Sequence, residues 1–277
     1  MRVATIQMVS AASLQVNLAR ALDLLRQAAE TGAELAVLPE YFCLLGQRDT
    51  DKLAIQESYG DGVIQHFLRD AARDLGMWIA GGTLPLSDPQ PSLATDGARV
   101  FNSLLVYAPN GECVRRYDKL HLFRFDNGTE RYDESRVLRR GGAPAQFSLP
   151  SHDGHVWTVG LSICYDLRFP ELYRGYAAGG ADLLLVPSAF TFTTGAAHWE
   201  VLLRARAIEN LAFVVAPAQG GQHENGRRTW GHSMQVSPWG EVLSVRPEGE
   251  GVDTVDLDAT AMLQARRQLP ALGHRVV

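Results

Sequence analysis

The 277-residue sequence predicts an α/β domain in which helices cover a mixed sheet or a pair of sheets. Short apolar runs typical of buried strands alternate with segments whose apolar residues recur at helical spacing. Hairpin signals such as Pro109-Asn110-Gly111 lie between these elements and require some antiparallel pairing. Because neither a linker-like change of composition nor a repeat divides the chain, we expect residues 1–277 to form one domain.

The composition is that of an ordinary globular protein, with 46% hydrophobic and 21% charged residues. A formal net charge of −5 and the absence of long apolar runs predict neither a nucleic-acid nor a membrane partner. The first residues read as a strand and not as a signal peptide, which predicts a cytoplasmic location. Cys43, Cys113 and Cys164 are widely spaced and form no disulfide framework, so each is expected to be a free thiol.

The first half of the chain predicts two helices between short strands. Ser13 is a suitable N-cap for a helix that ends at Gly32, and a second helix is predicted over residues 61–75. Strands are expected at residues 3–8, 35–38, 77–80 and 100–107, and at 112–117 as the second arm of a hairpin. Residues 87–97 and 124–142 are predicted to be loops, the second of a length that is often functional.

The second half repeats the alternation. An apolar strand at residues 156–163 ends at Cys164, and Pro170 then starts the first turn of a helix over residues 171–178. Residues 220–230 are predicted to be a glycine-rich polar loop. The remaining helices are expected at residues 196–210 and 258–267, and the remaining strands at 146–149, 182–187, 213–216, 233–236, 241–245 and 253–257.

Three reactive side chains, Glu40, Lys119 and Cys164, each follow the end of a predicted strand. They form a complete set for acyl transfer, because the thiol attacks a carbonyl or nitrile carbon, the carboxylate carries the proton and the cation stabilises the oxyanion. A cysteine near a lysine and a helix N-terminus is expected to have a lowered pKa. Plain structural interpretations remain: a small buried side chain for the cysteine and solvated charges for the other two. Periodicity does not show that the three meet in space.

The chain also carries, in order, Leu38-Pro-Glu40, Tyr117-Asp-Lys119-Leu-His121 and Cys164-Tyr-Asp-Leu-Arg168-Phe-Pro-Glu171. These segments resemble the three signatures of the nitrilase, or carbon–nitrogen hydrolase, superfamily, and the similarity covers nearly the whole chain. The resemblance implies a four-layer αββα sandwich, a Glu-Lys-Cys triad and no metal or organic cofactor. It also implies a homodimer or higher homo-oligomer that pairs through helices near the nucleophile. Three histidines without metal-ligand spacing are interpreted as scaffold residues: His121, His198 and His232.

Carried over by position, the resemblance makes Glu40 the general base, Lys119 the oxyanion donor and Cys164 the nucleophile. Tyr165 would add its backbone N–H to the oxyanion site.

In the same family a second glutamate, in the loop after the lysine, usually positions that lysine. Glu134 matches this position, and Glu130 is the alternative if the register differs. A buried carboxylate beside Lys119 is also physically reasonable, since a desolvated ammonium needs a partner.

The motif after Cys164 and the segment 188–200 narrow the resemblance to the branch that holds deaminated glutathione amidase and omega-amidase. In that branch an arginine four residues after the nucleophile binds the carboxylate of the substrate, and Arg168 occupies this place. A guanidinium suits the role because its planar fork binds a carboxylate through two hydrogen bonds. Phe190 and Thr194 match pocket positions of the same branch.

Other interpretations of these residues stay open at this point. An ion pair with Asp166 or Glu171 would also account for Arg168, and core packing would also account for Phe190. Residues 123–133 follow neither branch closely, which leaves the distal half of the substrate undefined.

The sequence therefore predicts an amidase that hydrolyses the terminal amide of an α-keto acid amide through a cysteine thioester. The expected substrate is deaminated glutathione, a metabolite-repair role, and the expected small-molecule partner is an amide that carries a carboxylate. The alternatives are an omega-amidase acting on α-ketoglutaramate or another small aliphatic or carbamoyl amide hydrolase. Outside catalysis, the alternative is a non-catalytic scaffold of the same fold.

Overall fold

The computed structural model describes residues 1–88 and 99–276. Its strands, numbered along the chain, are β1 (Arg2–Gln7), β2 (Leu35–Val37), β3 (Trp78–Ala80), β4 (Leu84–Ser87), β5 (Val100–Tyr107), β6 (Cys113–Asp118), β7 (Arg124–Asp126), β8 (Arg131–Asp133), β9 (Leu138–Arg139), β10 (Ala145–Pro150), β11 (Val156–Leu161), β12 (Leu183–Leu185), β13 (Phe213–Ala216), β14 (Gly220–Gln222), β15 (Arg228–Trp230), β16 (Ser233–Val236), β17 (Val242–Arg246) and β18 (Gly251–Asp256). The α-helices are α1 (Leu14–Glu30), α2 (Val63–Leu75), α3 (Pro170–Ala178), α4 (Phe192–Asn210) and α5 (Ala259–Gln268). Short 3₁₀ helices occupy Asp49–Ile55, Glu134–Arg136, Cys164–Arg168 and Ala271–His274.

The two large sheets are both mixed. The first has the strand order β18-β1-β2-β3-β5-β4, and β6 and β9 also pair with β5. Its strands β1, β2 and β3 are parallel, whereas β18 is antiparallel to β1 and β5 is antiparallel to β3. The second sheet has the order β10-β11-β12-β13-β16-β17, with β11, β12 and β13 parallel. Each sheet therefore has a parallel centre, which places the carboxyl ends of its central strands at one edge.

Alternation along the strands separates the two faces of the first sheet. Val3 and Val37 belong to a core shared with strands of the second sheet, whereas Ala4 and Ala36 pack towards α1 and α2. The helices α3 and α4 cover the second sheet through buried side chains that include Tyr173, Trp199 and Leu203. The order helix, sheet, sheet, helix is the four-layer αββα sandwich, so the predicted fold class is confirmed.

Local chemistry fixes where the helices begin. The Ser13 side chain accepts a hydrogen bond from the first turn of α1, as the sequence predicts, and Asp258 caps α5 in the same way. Pro170 occupies the first position of α3, where its missing N–H costs nothing. The helix α4 begins earlier than predicted, at Phe192, because the Thr191 side chain caps it.

Two segments that the sequence predicts as loops contain hairpins. Within residues 124–142, β7 pairs with β8, and within residues 220–230, β14 pairs with β15. Their arms are three residues long, too short to show an alternation of apolar and polar side chains. The strand β4 was not predicted either. Most of the loop predicted over residues 87–97 lies outside the described residues.

Within the described parts of the chain, no helix has both the length and the apolar character needed to cross a membrane.

Candidate active site

Cys164 lies at a strained turn directly after the centre of the second sheet. The strand β11 ends at Leu161, and Cys164 opens a 3₁₀ helix with a φ of +50°, a left-handed conformation that is uncommon for a side chain other than glycine. Its backbone N–H donates to the carbonyl of Pro187 at 3.0 Å, which ties the turn to the end of β12. Strain of this kind persists only where the surrounding structure imposes it, and it is concentrated at functional sites.

The fully buried carboxylate of Asp166 joins this turn to the segment that carries the lysine. One oxygen accepts from the Ile163 backbone at 2.9 Å and from the Tyr117 hydroxyl at 2.7 Å. The other accepts from the His121 backbone at 2.9 Å and lies 2.7 Å from the Nδ1 atom of that ring. Lys119 lies between Tyr117 and His121 in the chain, so a single carboxylate fixes the lysine segment relative to the cysteine turn.

Glu40 follows β2 and is 1% exposed. Its Oε1 atom accepts from the Lys119 ammonium at 2.8 Å and from the Asn102 side chain at 2.9 Å. Its Oε2 atom accepts from the Ala189 backbone at 2.9 Å. These three donors offset the cost of burying the carboxylate and hold it in one orientation.

Lys119 has no exposed surface and lies between two carboxylates, at 2.8 Å from Glu40 and 2.9 Å from Glu134. Burial alone would lower the pKa of Lys119, but the attraction of Glu134 and Glu40 outweighs it and raises that pKa well above its ordinary value. The residue is therefore an ammonium at neutral pH. An ammonium has three N–H donors, so one remains after both carboxylates are bound.

Glu134 is held by more than the lysine. It accepts from the Tyr41 hydroxyl at 2.9 Å and from the Phe123 backbone at 2.7 Å. Burial would raise the pKa of Glu134, but the Lys119 ammonium and the Phe123 N–H together lower it. Glu130 lies elsewhere and accepts from the Thr193 hydroxyl at an exposed position, at 2.8 Å. Of the two glutamates that the sequence offers, Glu134 is the one beside the lysine.

The expectation of a lowered pKa for Cys164 is wrong. The pKa of the thiol is raised well above its ordinary value, first by burial and then by the negative charge of Glu40. The Lys119 ammonium acts in the opposite direction and does not compensate. The resting group is consequently a neutral thiol, which needs a base in order to attack.

Two cavities meet at Cys164. The larger has a volume of about 700 Å³ and is open to solvent, and the smaller has a volume of about 220 Å³. Glu40 lines only the larger cavity, whereas Arg168 lines only the smaller one. A substrate that crosses the thiol would therefore place its two halves in different surroundings.

The smaller cavity brings together the three predicted substrate-binding residues, Arg168, Phe190 and Thr194. The guanidinium of Arg168 lies 3.2 Å from the Nδ1 atom of His198 and 5.6 Å from the centre of the Phe190 ring. In the described parts of the chain it forms no ion pair. The alternative of a pair with Asp166 or Glu171 is thus not what the structure has.

Phe190 combines the two roles that the sequence left open. It is 5% exposed and packs against Trp199 with ring centres 4.8 Å apart, yet it also lines the smaller cavity. The Thr194 hydroxyl lies 2.8 Å from that of Thr191.

Sequence reasoning missed Asn102, Tyr41 and Asp166 as parts of the site. Asn102 lies inside β5 with nothing in its flanks to distinguish it, and Tyr41 is the first of two aromatic residues after Glu40. Asp166 stood in the quoted motif, but only its burial shows that it connects two segments.

Known proteins resemble this chain in both sequence and fold. A family model described as carbon-nitrogen hydrolase matches residues 2–267. Deaminated glutathione amidase of Synechocystis sp. is 39% identical over 275 residues, which are 99% of this chain and 97% of that protein. Omega-amidase NIT2 of Danio rerio is 34% identical over 271 residues, covering 94% of this chain and 88% of that protein. The crystal structure of the C. elegans NitFhit protein matches with a TM-score of 0.84 and 36% identity, over 99% of this chain and 65% of that chain.

Proposed function

Because this chain belongs to the carbon–nitrogen hydrolase family, we propose that Cys164, Glu40 and Lys119 cleave a linear amide through a thioester, with Glu134 positioning the lysine. The protein is a hydrolase that acts on carbon–nitrogen bonds other than peptide bonds. The observation that carries the catalytic assignment is the buried ammonium of Lys119 between two carboxylates, beside a neutral thiol at the meeting point of two cavities. We also propose that residues 1–277 form a single carbon–nitrogen hydrolase domain.

In the first half-reaction the Cys164 sulfur bonds to the amide carbon while its proton moves to Glu40. The carbonyl oxygen becomes an oxyanion, which the third N–H of Lys119 and the backbone N–H of Tyr165 stabilise. Tyr165 lies in the first turn of a 3₁₀ helix, where backbone N–H groups have no acceptor inside the helix. Glu40 then returns the proton to the nitrogen, the carbon–nitrogen bond breaks and the amine leaves.

In the second half-reaction water attacks the thioester carbon, Glu40 accepts a proton from that water, and the thiol of Cys164 leaves with the proton. The products are a carboxylic acid and the free enzyme. Glu40 is suited to both directions of proton transfer because three donors keep its carboxylate in one place.

For the substrate we propose deaminated glutathione, with α-ketoglutaramate as the second candidate. Both amides carry the same acyl group, that of 2-oxoglutarate, so Arg168 in the smaller cavity would bind the keto acid carboxylate of either one. They differ in the leaving group. Deaminated glutathione releases the dipeptide cysteinylglycine, whose amino group was the amide nitrogen, and α-ketoglutaramate releases ammonia.

The test follows 2-oxoglutarate, the product that both amides share. We expect release from deaminated glutathione by the wild-type protein and none by Cys164→Ala. The ratio of kcat/KM for the two amides distinguishes the two substrate assignments. If the wild type hydrolyses neither amide, the proposed substrate class is wrong. If, in addition, no amide acylates Cys164, the result would favour a scaffold protein.

We further propose a homodimer in which α4 packs against its copy. Val201 and Ile208 are exposed apolar side chains on this helix, at 69% and 46%. We expect Val201→Glu to convert the dimer to a monomer in light scattering, and a wild-type protein that is already monomeric would contradict the proposal.

We also propose a cytoplasmic location, because the mechanism needs Cys164 as a reduced thiol and the cytoplasm keeps thiols reduced.

A further inference from the structure

The larger cavity holds a cation that the proposed mechanism does not use. Lys52 lies in the 3₁₀ helix Asp49–Ile55 and lines this cavity together with Glu40 and Cys164. Its side chain is half-buried, and its ammonium lies 4.6 Å from the centre of the Tyr41 ring. Across residues 1–88 and 99–276 the ammonium has no carboxylate within ion-pair distance and no hydrogen-bond acceptor.

The arginines in the same cavity wall are already paired. Arg227 lies 3.5 Å from Asp49, and Arg228 lies 2.8 Å from Glu248. Burial lowers the pKa of Lys52, while the negative charges of Glu134 and Asp49, which lie beyond ion-pair distance, act to raise it. An ammonium held partly out of water without an anionic partner is unfavourable, and an anion that enters the cavity would remove the cost.

Composition sets Lys52 apart a second time. Of the 26 basic residues, only Lys52 and Lys119 are lysines, and all the others are arginines. Both belong to one site, because Lys119 contacts Glu134 and Lys52 lies close enough to favour the ionised form of that carboxylate.

The position of Glu40 shows which half of a substrate meets Lys52. Glu40, which protonates the leaving nitrogen, lines only the larger cavity, while Arg168 lines only the smaller one. The acyl half of the amide therefore extends towards Arg168, and the leaving amine extends towards Lys52.

Resting on the proposed amidase function, we propose that Lys52 binds an anionic group on the leaving amine, so that the preferred substrate carries a carboxylate at each end. A dipeptide amine presents its carboxylate about 7 Å from the leaving nitrogen. Ammonia leaves this subsite unused. Lys52 is thereby a specificity residue that favours dipeptide-like leaving groups over a primary amide.

The kinetic test compares the two amides with a common acyl group. In Lys52→Met we expect kcat/KM for deaminated glutathione to fall roughly 10- to 100-fold, and kcat/KM for α-ketoglutaramate to stay within about threefold. Arg168→Met should weaken the binding of both substrates. Arg48→Met removes one exposed charge from the same segment and should change neither. Equal losses on both amides in Lys52→Met, or no loss on deaminated glutathione, would overturn the proposal.

A binding test separates this inference from the proposed function. Reductive ¹³C-methylation should label the half-buried Lys52 and leave the inaccessible Lys119 unlabelled. The signal that is missing in Lys52→Met identifies Lys52. We expect alanylglycine to shift that signal and alanylglycinamide, which lacks the carboxylate, to leave it in place. No shift with alanylglycine would refute the subsite. A shift in a protein that hydrolyses neither amide would preserve the subsite and reject the proposed substrates.

Discussion

Replacing Asp166 by asparagine removes the group that joins the nucleophile turn to the lysine segment. Each carboxylate oxygen of Asp166 has two nitrogen or oxygen partners. The amide nitrogen of asparagine must take the place of one oxygen. In one orientation this nitrogen faces the backbone N–H of Ile163, and in the other it faces the backbone N–H of His121, so in both cases two donors oppose each other. Two hydrogen bonds to a charged acceptor are lost, at about 1.5–3 kcal/mol each.

The Tyr117 hydroxyl can rotate and accept from the new amide, so part of this loss is recovered. We expect a net destabilisation of about 2–4 kcal/mol and a decrease in Tm of roughly 4–10 °C. In the fraction that remains folded, kcat should fall because the thiol and Lys119 no longer share an anchor. KM should change by less than about threefold, because Arg168 is not part of this connection.

The assay combines calorimetry with steady-state kinetics. Asp256→Asn is the matched control, because Asp256 also accepts two hydrogen bonds, at 2.8 Å each, but from Arg2 at the exposed surface. Its Tm should equal that of the wild type within error. If Asp166→Asn were as stable and as active as this control, the connecting role of Asp166 would be wrong.

Two further predictions follow from the buried charges and thiols. Glu134→Gln should lower kcat/KM by about 100-fold or more, because Lys119 loses a carboxylate. Glu130→Gln should stay within about twofold, because the Glu130 carboxylate accepts from the Thr193 hydroxyl at an exposed position, and similar losses in both variants would remove Glu134 from the site. Burial raises the pKa of Cys43 from 9.0 to about 12, so this thiol ionises first in the unfolded chain and the stability it contributes is lost as pH rises above 9. The destabilisation caused by Cys43→Ala, measured by urea unfolding under reducing conditions, should therefore shrink by about 1 kcal/mol between pH 8 and pH 10, and a constant difference would contradict the assignment.

The sequence predicts those parts of the fold whose signal lies in one segment. The long helices α1 and α2 and the strand β5 are of this kind, because periodicity and caps act within a few residues. The hairpins β7–β8 and β14–β15 escaped prediction because three residues carry no period and their pairing depends on distant neighbours. The fold class was predicted from the alternation of elements, but the four layers came from the family resemblance.

The same distinction holds for the site. Glu40, Lys119 and Cys164 stand at strand ends, where a local pattern marks them. Asn102 and Lys52 contribute only through where the chain brings them, and no local pattern of their own marks either one. The pKa of Cys164 had the wrong predicted direction because the sequence suggests the nearby lysine but not the burial and the two carboxylates that oppose it.

That raised pKa has a consequence for the order of events in catalysis. In the resting site one ammonium faces two carboxylates, so ionising the thiol in advance would add a further negative charge to a buried and already negative cluster. If the proton moves to Glu40 as the sulfur attacks, the carboxylate loses its charge while the oxyanion gains one. The total charge of the site is then unchanged, and the new charge lies where Lys119 has a free N–H. In the proposed mechanism Glu40 alternates between charged and neutral forms during each turnover, and the second carboxylate, Glu134, keeps Lys119 protonated throughout. The site therefore favours attack by a thiol that is deprotonated during bond formation over attack by a preformed thiolate.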